Sequence, residues 1–175
     1  MITIRKNTFE TNSSSTHSIV IPKNVECSKM KYISFSFNDF GWMDSCVDQT
    51  SYLYTAICNY YQDKERNSKL NKLKEILDNH NIQYKFQPIE IKTWQNGKFS
   101  HTYEQIGSID HCDELCDFLE AVFDNEDLLL RYLYSGIVYT GNDNIKSFEE
   151  DDIPDRLIAY YKPDPDNFDY FYKGN

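Results

Sequence analysis

The sequence predicts an α+β fold: a single domain, residues 1–175, with a mixed, mostly antiparallel sheet packed with about four helices. Short runs of alternating apolar residues indicate strands, and longer runs with apolar residues at helical spacing indicate helices. The two kinds of run do not alternate regularly, and Asn96-Gly97 marks a β-hairpin, which disfavours a doubly wound parallel sheet. No internal repeat, linker or shift in composition divides the chain.

Three strands are predicted near the start of the chain. Met1–Lys6 alternates apolar and polar side chains, and a polar loop follows it. His17–Ile21 becomes apolar and stops at Pro22, which cannot donate to a β-ladder. Tyr32–Phe37 alternates again and is broken by Asn38–Trp42.

Two helices are predicted next. Asp48 or Thr50 can cap a helix that runs to about Lys64. Its apolar stripe consists of Tyr52, Leu53, Ala56, Ile57, Tyr60 and Tyr61. A second helix is predicted from about Ser68 to Asn79, with its leucines and Ile76 facing the core.

A hairpin and four further elements complete the prediction. Ile82–Lys92 alternates around Pro88, and a type I′ turn at Asn96-Gly97 joins the strand of Trp94 to Phe99–Tyr103. The later elements are a helix from Ser108 or Asp110, a helix over Glu126–Tyr134, a strand over Gly136–Thr140 and a helix or strand over Ile153–Tyr161. The aromatic tail that follows need not be disordered.

Charge and composition limit the classes of partner. The net charge is −10, from 28 acidic and 18 basic residues. Because an acidic surface repels phosphates, we expect no direct binding of nucleic acid. The charge indicates either plain solubility or a partner with a basic surface, and mimicry of a nucleic acid is a sharper form of the second interpretation.

The cysteines and the apolar runs predict a cytoplasmic location. Five cysteines at irregular spacing fit unpaired thiols in a reducing compartment. The first residues lack the apolar stretch of a secretory leader, and no run approaches the length of a membrane span. We therefore expect no association with membranes.

The run Thr11–Ser18 is the first candidate site, because every side chain in it is hydroxylic, an amide or an imidazole. Hydroxyls and loop N–H groups can hold a phosphate together, and Arg5 can add positive charge. His17 could instead activate a loop serine as a nucleophile, but no orienting acid can be chosen, so no catalytic residue is assigned. The structural alternative is a turn that bonds to its own backbone. The candidate ligand-binding residues here are Arg5, Asn12, Ser13, Ser14, Ser15 and His17.

A second polar turn follows the predicted strand Gly136–Thr140. Asn142, Asp143 and Asn144 offer oxygen ligands, and strand ends often carry ligand groups. The match to a calcium loop fails, so a plain turn is the main alternative. Together with the serine-rich run, these three residues form the predicted ligand-binding set.

No metal or other cofactor is predicted. Cys112 and Cys116 lie four residues apart and could share zinc with a nearby histidine, but zinc sites normally show two such close pairs. The acidic runs at residues 110–117, 124–127 and 149–152 are typical of solvated faces.

The opening Arg5-x-x-x-Phe9-Glu10-Thr11-Asn12-Ser13-Ser14-Ser15-Thr16-His17-Ser18 resembles that of a family of small uncharacterised proteins encoded by phages and mobile elements of Gram-positive bacteria. Shorter segments also resemble that family: Phe40–Trp42, Ser51–Ile57, Thr140–Asn144 and Tyr172–Asn175. The resemblance implies a bacterial cytosol, where accessory genes often serve host takeover or evasion of defence. It implies no particular activity or catalytic residue.

Two functions follow from these observations. The first is an accessory inhibitor, comparable to an anti-CRISPR protein, that binds a basic host protein through an acidic, tyrosine-rich surface. That host protein could be a defence effector that handles nucleic acid. The second is a nucleotide- or phosphate-binding protein, or a hydrolase, in which the serine-rich run and the Asn142–Asn144 turn converge. Whether the protein is an enzyme is left open by the sequence.

Overall fold

A computed structural model describes residues 15–27, 30–41, 45–110, 115–142 and 164–173, and it confirms the α+β class. Four helices and ten strands are present in these ranges. The helices are α1 (Gln49–Tyr60), α2 (Asp63–Asn79), α3 (Cys116–Asp124) and α4 (Glu126–Ser135). The strands are β1 (Ser15–Pro22), β2 (Tyr32–Phe35), β3 (Asp39–Phe40), β4 (Ser45–Val47), β5 (Gln83–Phe86), β6 (Glu90–Asn96), β7 (Phe99–Gln105), β8 (Ser108–Ile109), β9 (Ile137–Asn142) and β10 (Phe168–Lys173).

The main sheet is antiparallel and has four strands in the order β10-β1-β9-β4. β1 is buried on both faces from Ser15 to Ile21, which is why its run Ile19–Ile21 is apolar without interruption. Ile19 is opposite Val138 of β9 and Phe171 of β10. Helices α1, α3 and α4 supply most of the hydrophobic core against this sheet.

The remaining described strands form three two-stranded sheets. β2 pairs in parallel with β5, and the two-residue strands β3 and β8 also pair in parallel. β6 and β7 form an antiparallel hairpin, and no other described strand pairs with either of them. We call residues 90–105 the ribbon.

Two helix starts are capped by side chains that the sequence makes available. The Asp48 carboxylate accepts from the backbone N–H of Ser51, and the Asn125 side chain accepts from that of Leu128. The cap predicted at Asp48 is therefore confirmed. Helix α1 is buried along almost its whole length, so it forms the centre of the domain core.

The predicted boundary between the first two helices was wrong. Lys64 belongs to α2 rather than α1, because the chain is extended at Tyr61 and Gln62 and a new helix begins at Asp63. Asp63 and Glu65 in the first turn of α2 favour this start, since carboxylates interact well with a helix N-terminus.

Two elements differ from the prediction later in the chain. Ser108 and Ile109 form β8 instead of starting a helix, because the Ser108 N–H donates to the carbonyl of Asn38 and the Asp110 N–H to that of Phe40. The aromatic tail forms β10 at the edge of the main sheet. The predicted elements over Met1–Lys6 and Ile153–Tyr161 lie outside the described residues.

The hairpin was predicted, but its turn is of another type. Asn96 is paired with Phe99, so Gly97 and Lys98 form the loop. Gly97 has φ +59°, and Lys98 is not among the residues with positive φ. This pattern fits a type II′ turn, whose first central residue is glycine, rather than the predicted type I′ turn.

Candidate functional site

Ser15 and His17 of the serine-rich run lie at the start of β1 and are both 1% exposed. Ser15 Oγ is 2.8 Å from His17 Nε2, which is also 3.0 Å from the backbone oxygen of Asp110. The other ring nitrogen, Nδ1, is 2.9 Å from the hydroxyl oxygen of Tyr52. We call these four residues the His17 cluster.

Strand periodicity explains why these side chains meet. Alternate residues of a strand share one face, so Ser15, His17 and Ile19 lie on the same face of β1. Ile19 packs into the core, whereas His17 contacts Tyr52, which is fully buried in α1. The cluster therefore extends the core packing of β1 with hydrogen bonds at its polar end.

The geometry of the cluster fixes the proton on the neutral imidazole. A carbonyl oxygen can only accept, so Nε2–H must donate to the oxygen of Asp110 at 3.0 Å. Nδ1 then accepts from the Tyr52 hydroxyl. In this tautomer the nitrogen beside Ser15 already carries a proton, so His17 cannot remove one from that serine. Their full burial also keeps a substrate away, and the arrangement therefore supports a structural role.

Gly41 closes the cluster on one side. Its backbone φ of +115° is one that residues other than glycine rarely adopt. A Cβ atom at this position would also lie 2.7 Å from the Asp110 Cβ and 3.3 Å from the Ser15 Cβ. The Phe40 carbonyl next to it accepts from the Asp110 N–H. Gly41 therefore allows β3 to pack closely over the start of β1.

The structure brings the described ends of the two predicted polar turns together. Strands β1 and β9 are neighbours, and Ser15 is directly opposite Asn142 in their register. The remaining predicted ligand residues, Arg5, Asn12, Ser13, Ser14, Asp143 and Asn144, lie outside the described residues. The described residues therefore show that Ser15 and Asn142 are neighbours, and the convergence of the two turns on a ligand stays a prediction.

The alternative zinc site gains no support from the part of the chain that the structure describes, where no group of three or more His, Cys, Asp or Glu side chains could hold a metal. Cys116 Sγ donates to the Glu120 carboxylate at 3.4 Å. His80 pairs with Glu126, and His101 lies in the ribbon. His111 and Cys112 lie outside the described residues.

The ribbon is a surface feature that the sequence reasoning did not single out. Strand register places Trp94, Phe99, His101 and Tyr103 on one face. Phe99 is 78% exposed, Tyr103 48% and Trp94 45%, although large rings are normally buried. The His101 ring lies 5.2 Å from that of Trp94 and 6.0 Å from that of Tyr103. We call this surface the ring face.

The signal for the ring face was present in the sequence. In β7 the rings of Phe99, His101 and Tyr103 alternate with Ser100, Thr102 and Glu104, and in β6 Trp94 shares the ring side with Glu90, Lys92 and Asn96. The opposite face of β6 carries Thr93, Gln95 and one apolar side chain, Ile91. A hairpin with one apolar face usually packs that face on a core. What the sequence does not reveal is that this hairpin projects and leaves its rings in solvent.

The ribbon is attached to the domain at its base. Arg66 of α2 donates to both carboxylate oxygens of Glu104, at 2.6 and 3.1 Å, and its side chain also pairs with Asp63. The hydrogen bonds that Arg66 donates to the Glu104 carboxylate raise the pKa of the guanidinium despite its burial. Glu104 is on the face opposite the rings, so this contact orients the ring face away from α2.

The described tyrosines contribute more to the core than to the surface. Tyr52, Tyr54, Tyr61, Tyr132 and Tyr139 are buried, whereas Tyr32, Tyr103 and Tyr134 are exposed. Burial raises the pKa of Tyr61 to about 12, with smaller contributions from Glu65 and other neighbours. The tyrosine content therefore gives little support to a tyrosine-rich binding surface over the described residues.

Comparison of the chain with known protein families, with curated proteins and with solved structures found no match. None of the described helices is long and apolar enough to cross a membrane.

Proposed function

We propose that this chain is a non-enzymatic binding protein that acts by engaging a partner protein through the ring face of the ribbon. The observation that carries the proposal is the exposure of Trp94, Phe99 and Tyr103 on one face of a projecting hairpin. Rings of this kind are the side chains that dominate binding energy in protein interfaces. In keeping with the resemblance of its opening, we propose a phage or mobile-element accessory role in which the partner is a bacterial host protein.

The His17 cluster supports the same proposal by weakening the enzymatic alternative. Its serine and histidine are at the distance of a catalytic pair, but an Nε2–H that donates to the Asp110 carbonyl leaves no lone pair on the nitrogen that faces the serine. The pair is also closed to substrate by burial. The described residues that most resemble a catalytic site are thus better explained as part of the core.

The ring face also changes the expected dependence of binding on salt. Association of an acidic surface with a basic partner weakens as salt rises. The ribbon contains two glutamates and two lysines, so contact through its rings depends little on salt. Salt dependence therefore separates the ring face from the acidic surface as the binding region.

The test is retention of proteins from a Gram-positive bacterial lysate on the immobilised chain, at low and at high salt. We expect the same partner to be retained at both salt concentrations. The triple variant W94A/F99A/Y103A should lose it, and the control T93A/T102A, altered on the opposite face, should keep it. Loss of the partner at high salt, with full retention by the triple variant, would assign binding to the acidic surface instead.

A second candidate is the nucleotide or phosphate site, and the pairing of Ser15 with Asn142 favours keeping it. In that register Ser15, the described end of the serine-rich run, lies opposite Asn142, the first residue of the predicted turn. A bound ligand would raise the melting temperature, since it binds only the folded chain. A thermal-shift screen with nucleotides and inorganic phosphate should then show stabilisation that N142A reduces; no shift at saturating ligand would remove this candidate.

A further inference from the structure

We infer that the ribbon binds an extended, uncharged segment of its partner, which adds as a third β-strand and lays alternate apolar side chains on the ring face. This inference rests on the proposed binding function and specifies the kind of partner segment. Four features of the ribbon carry it: its open edges, its length, the area of its rings and its charge.

No other described strand pairs with either edge of the ribbon, so within the described residues both edges can accept a further strand. A two-residue loop makes the Asn96–Phe99 pair a hydrogen-bonded pair, so the pairs at 94/101, 92/103 and 90/105 are hydrogen-bonded as well. The N–H and C=O groups of the residues between them point outward, including those of Thr93 and Thr102. Such edges are templates for strand addition, and residues 90–105 contain no proline to block them.

The size of the ring face fits a single strand better than a globular partner. Given the exposed fractions of its rings, it offers roughly 400 Å² of ring surface. A stable contact between two globular proteins, including two copies of this chain, needs about 800 Å² from each partner. Each ribbon strand has seven residues, about 23 Å, which is the length of one added strand of the same size.

The charge of the ribbon selects against nucleic acid and against a charged peptide. Lys92 pairs with Glu90 at 2.6 Å, and the two glutamates of the ribbon balance its two lysines. A phosphate backbone would thus meet a neutral surface on a chain with net charge −10. The chemistry that remains complementary is an uncharged, β-prone segment with an apolar residue at every second position.

The test is selection of random twelve-residue linear peptides, displayed on phage, against the full chain. We expect convergence on uncharged segments with alternating apolar residues. The selected peptide should bind W94A/F99A/Y103A at least tenfold more weakly than the wild-type chain, and T93A/T102A with unchanged affinity. Bound peptide should slow amide exchange along β6 or β7.

Edge substitutions separate strand addition from simple contact with the rings. The outward N–H of Thr93 or Thr102 takes no part in the β6–β7 ladder, so proline at either position removes a donor without breaking the hairpin. We expect one of T93P and T102P to abolish peptide binding, while the thermal unfolding of both stays close to that of the wild-type chain. Binding that survives both proline variants would contradict the inference, as would selection of charged peptides or of none.

Four further outcomes would contradict the inference. Quenching of Trp94 fluorescence by single-stranded oligonucleotides, or dimerisation that the triple variant abolishes, would overturn the inference in favour of nucleic acid or of a second copy. If the lysate partner depends on the ring face and no peptide does, the proposed binding function stands and only the extended-segment inference fails. If neither depends on the rings, both fail.

Discussion

At the scale of single residues, the His17 cluster shows how a polar group can be part of a core. The imidazole accepts from Tyr52 in α1 and donates to the Asp110 carbonyl after β8, so one side chain joins three elements. Its burial makes these hydrogen bonds costly to lose, because each unpaired buried group costs about 1–3 kcal/mol.

We expect H17A to lower the free energy of unfolding by about 2–4 kcal/mol, since it leaves both the Tyr52 hydroxyl and the Asp110 carbonyl without this partner. Y52F should cost about 1–2 kcal/mol. Urea denaturation of the two single variants and the double variant gives their coupling energy. A value above about 0.5 kcal/mol supports the hydrogen bond, and strict additivity would contradict it.

Gly41 and Gly97 form a matched pair for testing close packing over the cluster. Both have positive φ, but a Cβ at Gly97 would meet nothing within 4 Å, whereas one at Gly41 would meet Asp110 at 2.7 Å. We expect G97A to cost about 1 kcal/mol for its backbone alone, and G41A to cost more than the ~1–3 kcal/mol of a strained backbone. Thermal unfolding measures both, and equal destabilisation would show that the contact with Asp110 is unimportant.

At the scale of elements, the ribbon is the part of the described structure with the least support. Its strands pair only with each other among the described strands, and an isolated two-stranded hairpin is marginally stable. The Arg66–Glu104 contact at its base therefore contributes more to its order than a similar pair on a flat surface would.

We expect E104Q to weaken this attachment by roughly 1 kcal/mol and to speed amide exchange in the β6–β7 ladder about fivefold. The control is E90Q, which breaks the Glu90–Lys92 pair within the ribbon and leaves the base intact. Hydrogen exchange read by mass spectrometry distinguishes the two variants. Equal exchange in both would mean that Arg66 does not hold the ribbon.

How well the sequence predicts an element depends on whether the signal for that element is local. The strand at Ile19–Ile21 and the Asp48 cap were predictable, because apolar runs and caps are local signals. Strand β8 and strand β10 were not, since β8 is two residues long and exists only by pairing with β3, and the tail is a strand through its pairing with β1. Such pairings join distant parts of the chain, which a local pattern does not encode.

For the candidate sites too, the sequence predicts the residue types but not their surroundings. The sequence identified His17 and Ser15 by residue type, but only their neighbours Tyr52, Asp110 and Gly41 show that they belong to the core. The ring face was hidden in a correctly predicted hairpin, because exposure depends on how the hairpin is placed on the domain.

At the scale of the whole molecule, one hydrophobic core joins the main sheet and the helices. The reactivity of the Cys58 thiol in α1 reports on the unfolding of this core. Burial raises the pKa of this thiol to about 12, with opposing smaller contributions from Arg66 and Glu104. Below that pH the thiol stays protonated, and it is the thiolate that reacts.

We expect iodoacetamide at pH 8 to modify the exposed Cys46 rapidly and Cys58 only when the chain unfolds. Mass spectrometry of tryptic peptides at increasing urea measures both sites. Cys58 should become reactive at the same urea concentration at which circular dichroism shows unfolding. Modification of Cys58 as fast as Cys46 without urea would contradict its place in the core.

The central claim is that the ring face contacts the partner, and site-specific photo-crosslinking tests it most directly. Phe99 would be replaced by p-benzoylphenylalanine, with the same replacement at the exposed Tyr32 of β2 as the control, and each chain illuminated in a Gram-positive bacterial lysate. We expect a discrete covalent adduct from position 99 and none from position 32. Adducts from position 32 alone, or none from either position, would contradict it.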